Sequence, residues 1–166
     1  CIRDRRMIRR LMANRPARVA GTHEGVSMVK EICKDDEVLG KKCARATAED
    51  ADVAQDVVDT MRSVEDCTCL AANQIGVTKS VVAYLDDEGG VHVMYNPHVM
   101  MGLQAARVTE SCLSHDEPVK ATRYAKVKVR YEELVDGKLV QRTRDFTGWT
   151  AQMIQHMCDH CRGKLV

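Results

Sequence analysis

The chain has 166 residues, of which 45% are hydrophobic and 30% are charged. This composition predicts one globular domain and excludes a wholly disordered, collagen-like or coiled-coil protein. No run of about 18 apolar residues occurs, so we expect no membrane span, and the 4% aromatic content argues against a base-stacking surface for single-stranded nucleic acid. No apolar signal segment accompanies the eight cysteines, and we therefore expect reduced thiols in a cytoplasmic protein.

The formal net charge of +1 conceals an asymmetry along the chain. Residues 1–27 contain seven arginines and two acidic residues, whereas residues 28–166 contain 18 basic and 22 acidic residues. We therefore expect residues 1–27 to be an Arg-rich N-terminal extension that is disordered or foreign to the native protein, with Met28 as its start. A transit peptide and a basic arm for nucleic acid or the ribosome are the alternatives. Residues 28–166 are expected to form the functional domain.

Two helices are predicted, one on each side of a region of strands. Thr47 is a candidate N-cap, and the apolar residues that follow it recur at helical spacing as far as Val64. A second amphipathic pattern extends from about Thr147 to Cys161.

Two hairpins are predicted between these helices. Strand-like segments at residues 79–84 and 91–95 flank a polar turn that is rich in glycine. The alternating segment at 126–131 is joined by Asp136-Gly137 to a further strand at 138–146. The order of helix, antiparallel strands and final helix predicts an α+β fold rather than a doubly wound parallel sheet.

His156 and His160 are four residues apart, so they share one face of the predicted last helix. Two imidazoles in this arrangement can bind one metal ion, although a solvated or structural pair has the same spacing. In the usual metallohydrolase form, a glutamate follows the first histidine and acts as the general base. Here Met157 takes that position, and its thioether cannot transfer a proton at neutral pH.

The cysteine spacing leaves open an alternative, a zinc-stabilised module without enzymatic activity. Cys67 and Cys69 form a C-x-C pair, and Cys158 and Cys161 form a C-x-x-C pair. However, Cys158 projects about 200° away from His156 on a helix, and the members of a C-x-C pair point to opposite sides of an extended chain. The spacing alone therefore does not require a four-thiolate site.

Three segments in chain order carry a more specific signal. They have the sequences CTCLAANQIG at Cys67–Gly76, ESCLS at Glu110–Ser114 and QHMCDHCRG at Gln155–Gly163. These segments resemble the three motifs of the peptide deformylase family, and the likeness extends over residues 28–166 but not over 1–27. The resemblance implies antiparallel sheets packed around a C-terminal helix that carries two metal-binding histidines.

The resemblance also implies a set of site residues. Cys112, His156 and His160 match the three metal ligands of the family, with a fourth position left for water or substrate. The cofactor would be one divalent ion, usually Fe²⁺, for which Zn²⁺, Ni²⁺ or Co²⁺ can substitute. Gln74 and the backbone amide of Leu113 match the groups that hydrogen-bond the developing oxyanion.

Two further positions support the site, and one departs from the family pattern. Glu110 matches the acid of the second motif, and Arg123 is its expected partner in holding the Cys112 loop. Met157 occupies the position of the catalytic glutamate. Loss of a general acid–base typically lowers the rate by about 10²–10⁴, so we expect impaired catalysis. An inactive relative that binds metal and formyl-methionyl peptides is the alternative.

The reaction that the resemblance implies is hydrolysis of the formyl group from N-formyl-methionine. This is a step of N-terminal methionine processing during bacterial protein biosynthesis in the cytoplasm. The expected partners are N-formyl-methionyl nascent peptides and the ribosome, with no membrane and no direct nucleic-acid specificity.

Overall fold

A computed structural model describes residues 28–166, and the extension predicted for residues 1–27 lies outside them. The described chain contains three α-helices, two 3-10 helices and five strands. Their bounds are α1 Asp36–Leu39, a 3-10 helix Ala48–Asp50, α2 Ala51–Ser63, β1 Cys69–Ala71, a 3-10 helix Ala72–Ile75, β2 Val81–Leu85, β3 Val91–Glu110, β4 Val119–Val135, β5 Lys138–Thr147 and α3 Gly148–Cys161. No helix in this part of the chain has the length and apolar character that crossing a membrane requires.

The five strands form one sheet in the order β1-β2-β3-β4-β5, and every neighbouring pair is antiparallel. The predicted α+β order is therefore confirmed. The turn between β4 and β5 is formed by Asp136 and Gly137, with φ values of 49° and 73°. Positive φ at both central residues is typical of the two-residue turns that match the twist of a hairpin, which is why this dipeptide marked the turn correctly.

β3 is much longer than the predicted segment at 91–95, since it continues to Glu110 over 20 residues. Its pairing with β4 shifts register between Tyr95 and His98 and again between Val99 and Met101. Asn96 lies in the first irregularity with a φ of 52°. Such bulges interrupt the alternation of buried and exposed side chains. The alternating pattern in the sequence therefore ends near Tyr95, although the strand continues to Glu110.

The predicted first helix is divided into a 3-10 helix and α2. The Thr47 side chain does not cap the helix as expected. Instead, the Asp50 carboxylate accepts hydrogen bonds from the Thr47 backbone N–H at 2.7 Å and from its hydroxyl at 3.3 Å. α3 begins directly after Thr147 and ends at Cys161, close to the predicted bounds, with Gly163 in the left-handed region beyond its end.

The core consists of two clusters on opposite faces of β1 and β2. Leu70, Val81 and Ala83 pack with α2, whereas Val82 and Tyr84 belong to the cluster that α3 forms against the sheet. Successive side chains of a strand point to opposite faces, so these two strands are covered on both sides. α3 lies against all five strands, and its central residues are therefore withdrawn from solvent.

Candidate metal centre

Three metal-binding side chains converge inside the domain. His156 and His160 on α3 are fully buried, and their Nε2 atoms are 3.2 Å apart. Cys112, in the loop after β3, places Sγ 3.3 Å from Nε2 of His160, and the three ligand atoms lie within 4.8 Å of one another. Two atoms bound to one tetrahedral ion at zinc-like bond lengths are separated by about 3.3–3.6 Å. The two pairs that include His160 Nε2 therefore have approximately the spacing that a single divalent ion requires, and the third pair lies within 4.8 Å.

Neighbouring groups set the protonation states of these side chains. Burial raises the pKa of the Cys112 thiol, but hydrogen bonds with His156 and His160 outweigh burial and bring this pKa to about 3. Burial lowers the pKa of His160 to about 4 against the hydrogen bond with Cys112. Burial also opposes protonation of His156, yet hydrogen bonds with Cys112 and Glu110 leave its pKa raised. The thiolate of Cys112 and the neutral imidazole of His160 are the forms that bind divalent metals, whereas a protonated His156 would have to release a proton on binding.

A buried ion-pair network lies behind His156. Nδ1 of His156 is 3.1 Å from Oε2 of Glu110, and Arg123 donates to both oxygens of that carboxylate at 2.9 and 2.7 Å. The third guanidinium nitrogen of Arg123 donates to Asp159 at 2.6 Å. Burial raises the pKa of Glu110, but His156 and Arg123 lower it to about 2. A carboxylate that accepts the Nδ1 proton leaves the Nε2 lone pair directed at the metal position.

The sequence analysis paired Glu110 with Arg123, and the structure brings these two side chains together. The sequence analysis did not include Asp159 or Gln152 in this network. The side-chain amide of Gln152 donates to Glu110 at 3.0 Å. Asp159 lies inside the third motif, which was the available signal, but the sequence carried no indication of its partner. Gln152 lies outside all three motifs.

The 3-10 helix Ala72–Ile75 contacts two of the three candidate ligands. Oε1 of the buried Gln74 accepts from the Ala71 backbone N–H at 3.0 Å, which directs Nε2 to Cys112 Sγ at 3.4 Å and Ser114 Oγ at 3.2 Å. Nδ2 of Asn73 donates to the backbone oxygen of His160 at 3.0 Å. A side-chain amide donor is therefore fixed beside the candidate thiolate.

The backbone N–H of Leu113 directly follows the candidate thiolate Cys112. Within residues 28–166 it donates no hydrogen bond to another backbone group. The Gln74 amide, 3.4 Å from Cys112 Sγ, and this N–H, next to Cys112 in the chain, are thus two donors close to the candidate thiolate.

Met157 is fully buried and belongs to the apolar cluster between α3 and the sheet. The Glu110 carboxylate lies on the Nδ1 side of His156, whereas the Nε2 atoms of both histidines face each other. Because the Met157 side chain is a thioether, position 157 carries no group that transfers protons at neutral pH.

The alternative zinc module has no matching cluster in the described chain. The one group of three or more metal-binding side chains among residues 28–166 contains neither cysteine pair. Burial raises the pKa of Cys67 and of Cys158 to about 12. Burial thus disfavours the thiolate form of these two cysteines.

Comparison with known proteins gives a consistent result for sequence and structure. A family model described as polypeptide deformylase matches residues 29–166. A peptide deformylase of Clostridium beijerinckii is 38% identical over 141 residues, which cover 84% of this chain and 100% of the relative. Peptide deformylase 1 of Clostridium perfringens is 32% identical over 139 residues, which cover 79% of this chain and 90% of the relative.

Solved structures share the fold. The class I type b peptide deformylase from Acinetobacter baumannii with Met-Ala-Ser bound aligns with a TM-score of 0.73 at 25% identity, covering 84% of this chain and 97% of that chain. The peptide deformylase from Thermus thermophilus aligns with a TM-score of 0.72 at 25% identity, covering 83% of both chains.

Proposed function

The chain belongs to the peptide deformylase family of metal-dependent hydrolases, and from this premise we propose that it hydrolyses the formyl group of N-formyl-methionyl peptides. The observation that carries the proposal is the convergence of Cys112, His156 and His160 in a buried site. One thiolate and two imidazoles suit Fe²⁺, Zn²⁺, Ni²⁺ or Co²⁺. When bound, such an ion acts as a Lewis acid and lowers the pKa of water.

The residues of the chain supply binding and electrostatic stabilisation. In this proposal, Nε2 of Gln74 and the Leu113 backbone N–H donate hydrogen bonds to the formyl oxygen as it gains negative charge. Glu110, held by Arg123, keeps the Nδ1 proton of His156 in place. The Acinetobacter deformylase structure contains Met-Ala-Ser, which supports a peptide with an N-terminal methionine as the substrate. The reaction would serve nascent chains at the ribosome in the cytoplasm.

The hydrolysis also needs a group that takes a proton from water and delivers it to the leaving amine. Met157 has no such group, and a missing general acid–base typically costs about 10²–10⁴ in rate. We therefore expect slow hydrolysis by the chain as it stands. The burial of Met157 among apolar side chains also favours a second candidate function, an inactive relative that binds metal and formyl-methionyl peptides.

Formate release from formyl-Met-Ala-Ser by the metal-loaded protein tests both functions. We expect Met157→Glu to release formate about 10²–10⁴ times faster than the unchanged chain. Met157→Gln is the matched control, because the amide has nearly the shape of Glu but cannot transfer the proton, and it should remain slow. Equal rates for all three proteins would contradict the assignment of position 157. Peptide binding without formate release by the unchanged chain would support the second function.

A further inference from the structure

Two polar atoms in the interior of the metal centre have no hydrogen-bond partner among residues 28–166. They are Nδ1 of His160 and Oδ1 of Asn73. Both side chains are fully buried, and they are in contact, since the Asn73 amide donates to the His160 backbone oxygen at 3.0 Å. Buried polar groups in proteins are nearly always hydrogen-bonded, so each of these two neighbouring atoms requires a partner in the folded protein.

The contact with the backbone fixes the orientation of the Asn73 amide. The His160 carbonyl can only accept, so the nitrogen of the amide has to face it, and a flipped amide would bring two oxygens together. Oδ1 of Asn73 is therefore an acceptor whose position is determined by the fold. The left-handed Gly76, with a φ of 81°, ends the 3-10 helix that carries Asn73 and so fixes the turn.

The geometry of the imidazole determines which nitrogen carries the proton. Nε2 of His160 faces Cys112 Sγ at 3.3 Å and His156 Nε2 at 3.2 Å, so Nε2 is the ligand atom. A neutral histidine that binds metal through Nε2 carries its proton on Nδ1. Such a proton almost always has an acceptor that fixes the ring. His156 has the Glu110 carboxylate for this purpose, and no carboxylate of residues 28–166 is hydrogen-bonded to the Nδ1 atom of His160.

We propose that Asn73 is a positioning residue of the metal centre. Its Oδ1 accepts the Nδ1 proton of His160 through one bridging water, since the two atoms are not hydrogen-bonded to each other, and thereby holds the tautomer in which Nε2 binds the ion. Its neighbour Gln74 contacts the Cys112 ligand, so a single turn orients the two ligands that Glu110 does not reach. This inference rests on the metal centre of the proposed function and adds a residue to it.

The first measurement uses the unchanged chain, loaded with Zn²⁺. Long-range ¹H–¹⁵N NMR should show His160 protonated at Nδ1, with a proton that exchanges slowly with solvent. Protonation at Nε2, with Nδ1 bound to the metal, would overturn the proposal. This measurement needs no variant and therefore does not depend on the folding of a mutant protein.

The second measurement compares Co²⁺ affinities in competition with a chelator. Asn73→Ala should bind Co²⁺ about 10–100 times more weakly than the unchanged chain and change the thiolate-to-cobalt absorption band. Asn96→Ala is the matched control, since the Asn96 amide donates to Ala46 and Glu132 away from the site, and it should leave the affinity unchanged.

The outcomes separate this inference from the proposed function. If Asn73→Ala binds Co²⁺ as tightly as the unchanged chain, with the same absorption band, the role of Asn73 is overturned and the metal centre stands. If the unchanged chain binds no stoichiometric metal ion, the proposed function fails and this inference fails with it.

Discussion

Substitution of Arg123 by methionine leaves two buried carboxylates without their guanidinium partner. The side chains of Arg123, Glu110 and Asp159 are 6%, 0% and 9% exposed, and the ion pairs measure 2.7 and 2.6 Å. Removing one partner of a buried ion pair costs about 3–5 kcal/mol. In a domain of about 140 residues, each kcal/mol corresponds to about 3–4 °C. We therefore expect Arg123→Met to lower Tm by about 10–20 °C.

Two contacts that remain place the result towards the lower end of this range. Gln152 still donates to Glu110, and Lys164 remains 3.1 Å from Asp159. Thermal unfolding of the metal-free protein, followed by circular dichroism, measures the change.

Arg142→Met is the matched control for the same chemical change at the surface. Arg142 pairs with Glu133 at 2.9 Å, but these side chains are 44% and 35% exposed. Exposed pairs contribute about 0–1 kcal/mol, so Tm should fall by less than about 4 °C. If the two variants unfold within a few degrees of each other, the reasoning from burial is refuted.

Two further comparisons test the metal ligands and the end of α3. Cys112→Ser should abolish stoichiometric metal binding, measured by plasma mass spectrometry, whereas Cys158→Ser should retain one ion per chain; the reverse pattern would favour the zinc module. Gly163→Ala should lower Tm more than Gly137→Ala in thermal unfolding. Both glycines have positive φ, at which alanine costs about 1–2 kcal/mol, but a Cβ at Gly163 would lie 2.5 Å from the Gly40 backbone oxygen, whereas Gly137 has open space. Equal Tm values would show that this close approach relaxes without cost.

The parts of the fold that were predictable are those that local patterns determine. The Asp136-Gly137 turn and α3 were predicted within one or two residues, because turn chemistry and helical periodicity act over short segments. β1 was missed, since a three-residue strand is too short for a period to be recognised. The far half of β3 was missed because most of its side chains are exposed, so no alternation of buried and exposed residues marks it.

The candidate site was predictable where the family motifs named a residue and not where tertiary contacts define it. The motifs indicated Cys112 and the two histidines, and the structure brings their ligand atoms together. The contact between Asn73 and His160 joins residues 87 positions apart, and neither helical nor strand periodicity relates positions so distant. The location of Asp159 beside Arg123 likewise follows from how α3 packs on β4.

The double-sided burial of β1 and β2 has a consequence for how the molecule loses its structure. If α2 detaches, it exposes Leu70 and Val81, and if α3 detaches, it exposes the opposite face of the same two strands. Neither helix can therefore open without weakening the support of the other. The helix that carries both histidines and the remote helix α2 should thus belong to one cooperative unfolding unit. A destabilising substitution in α2 should therefore also destabilise the site of the candidate ligands, because both helices cover the same two strands.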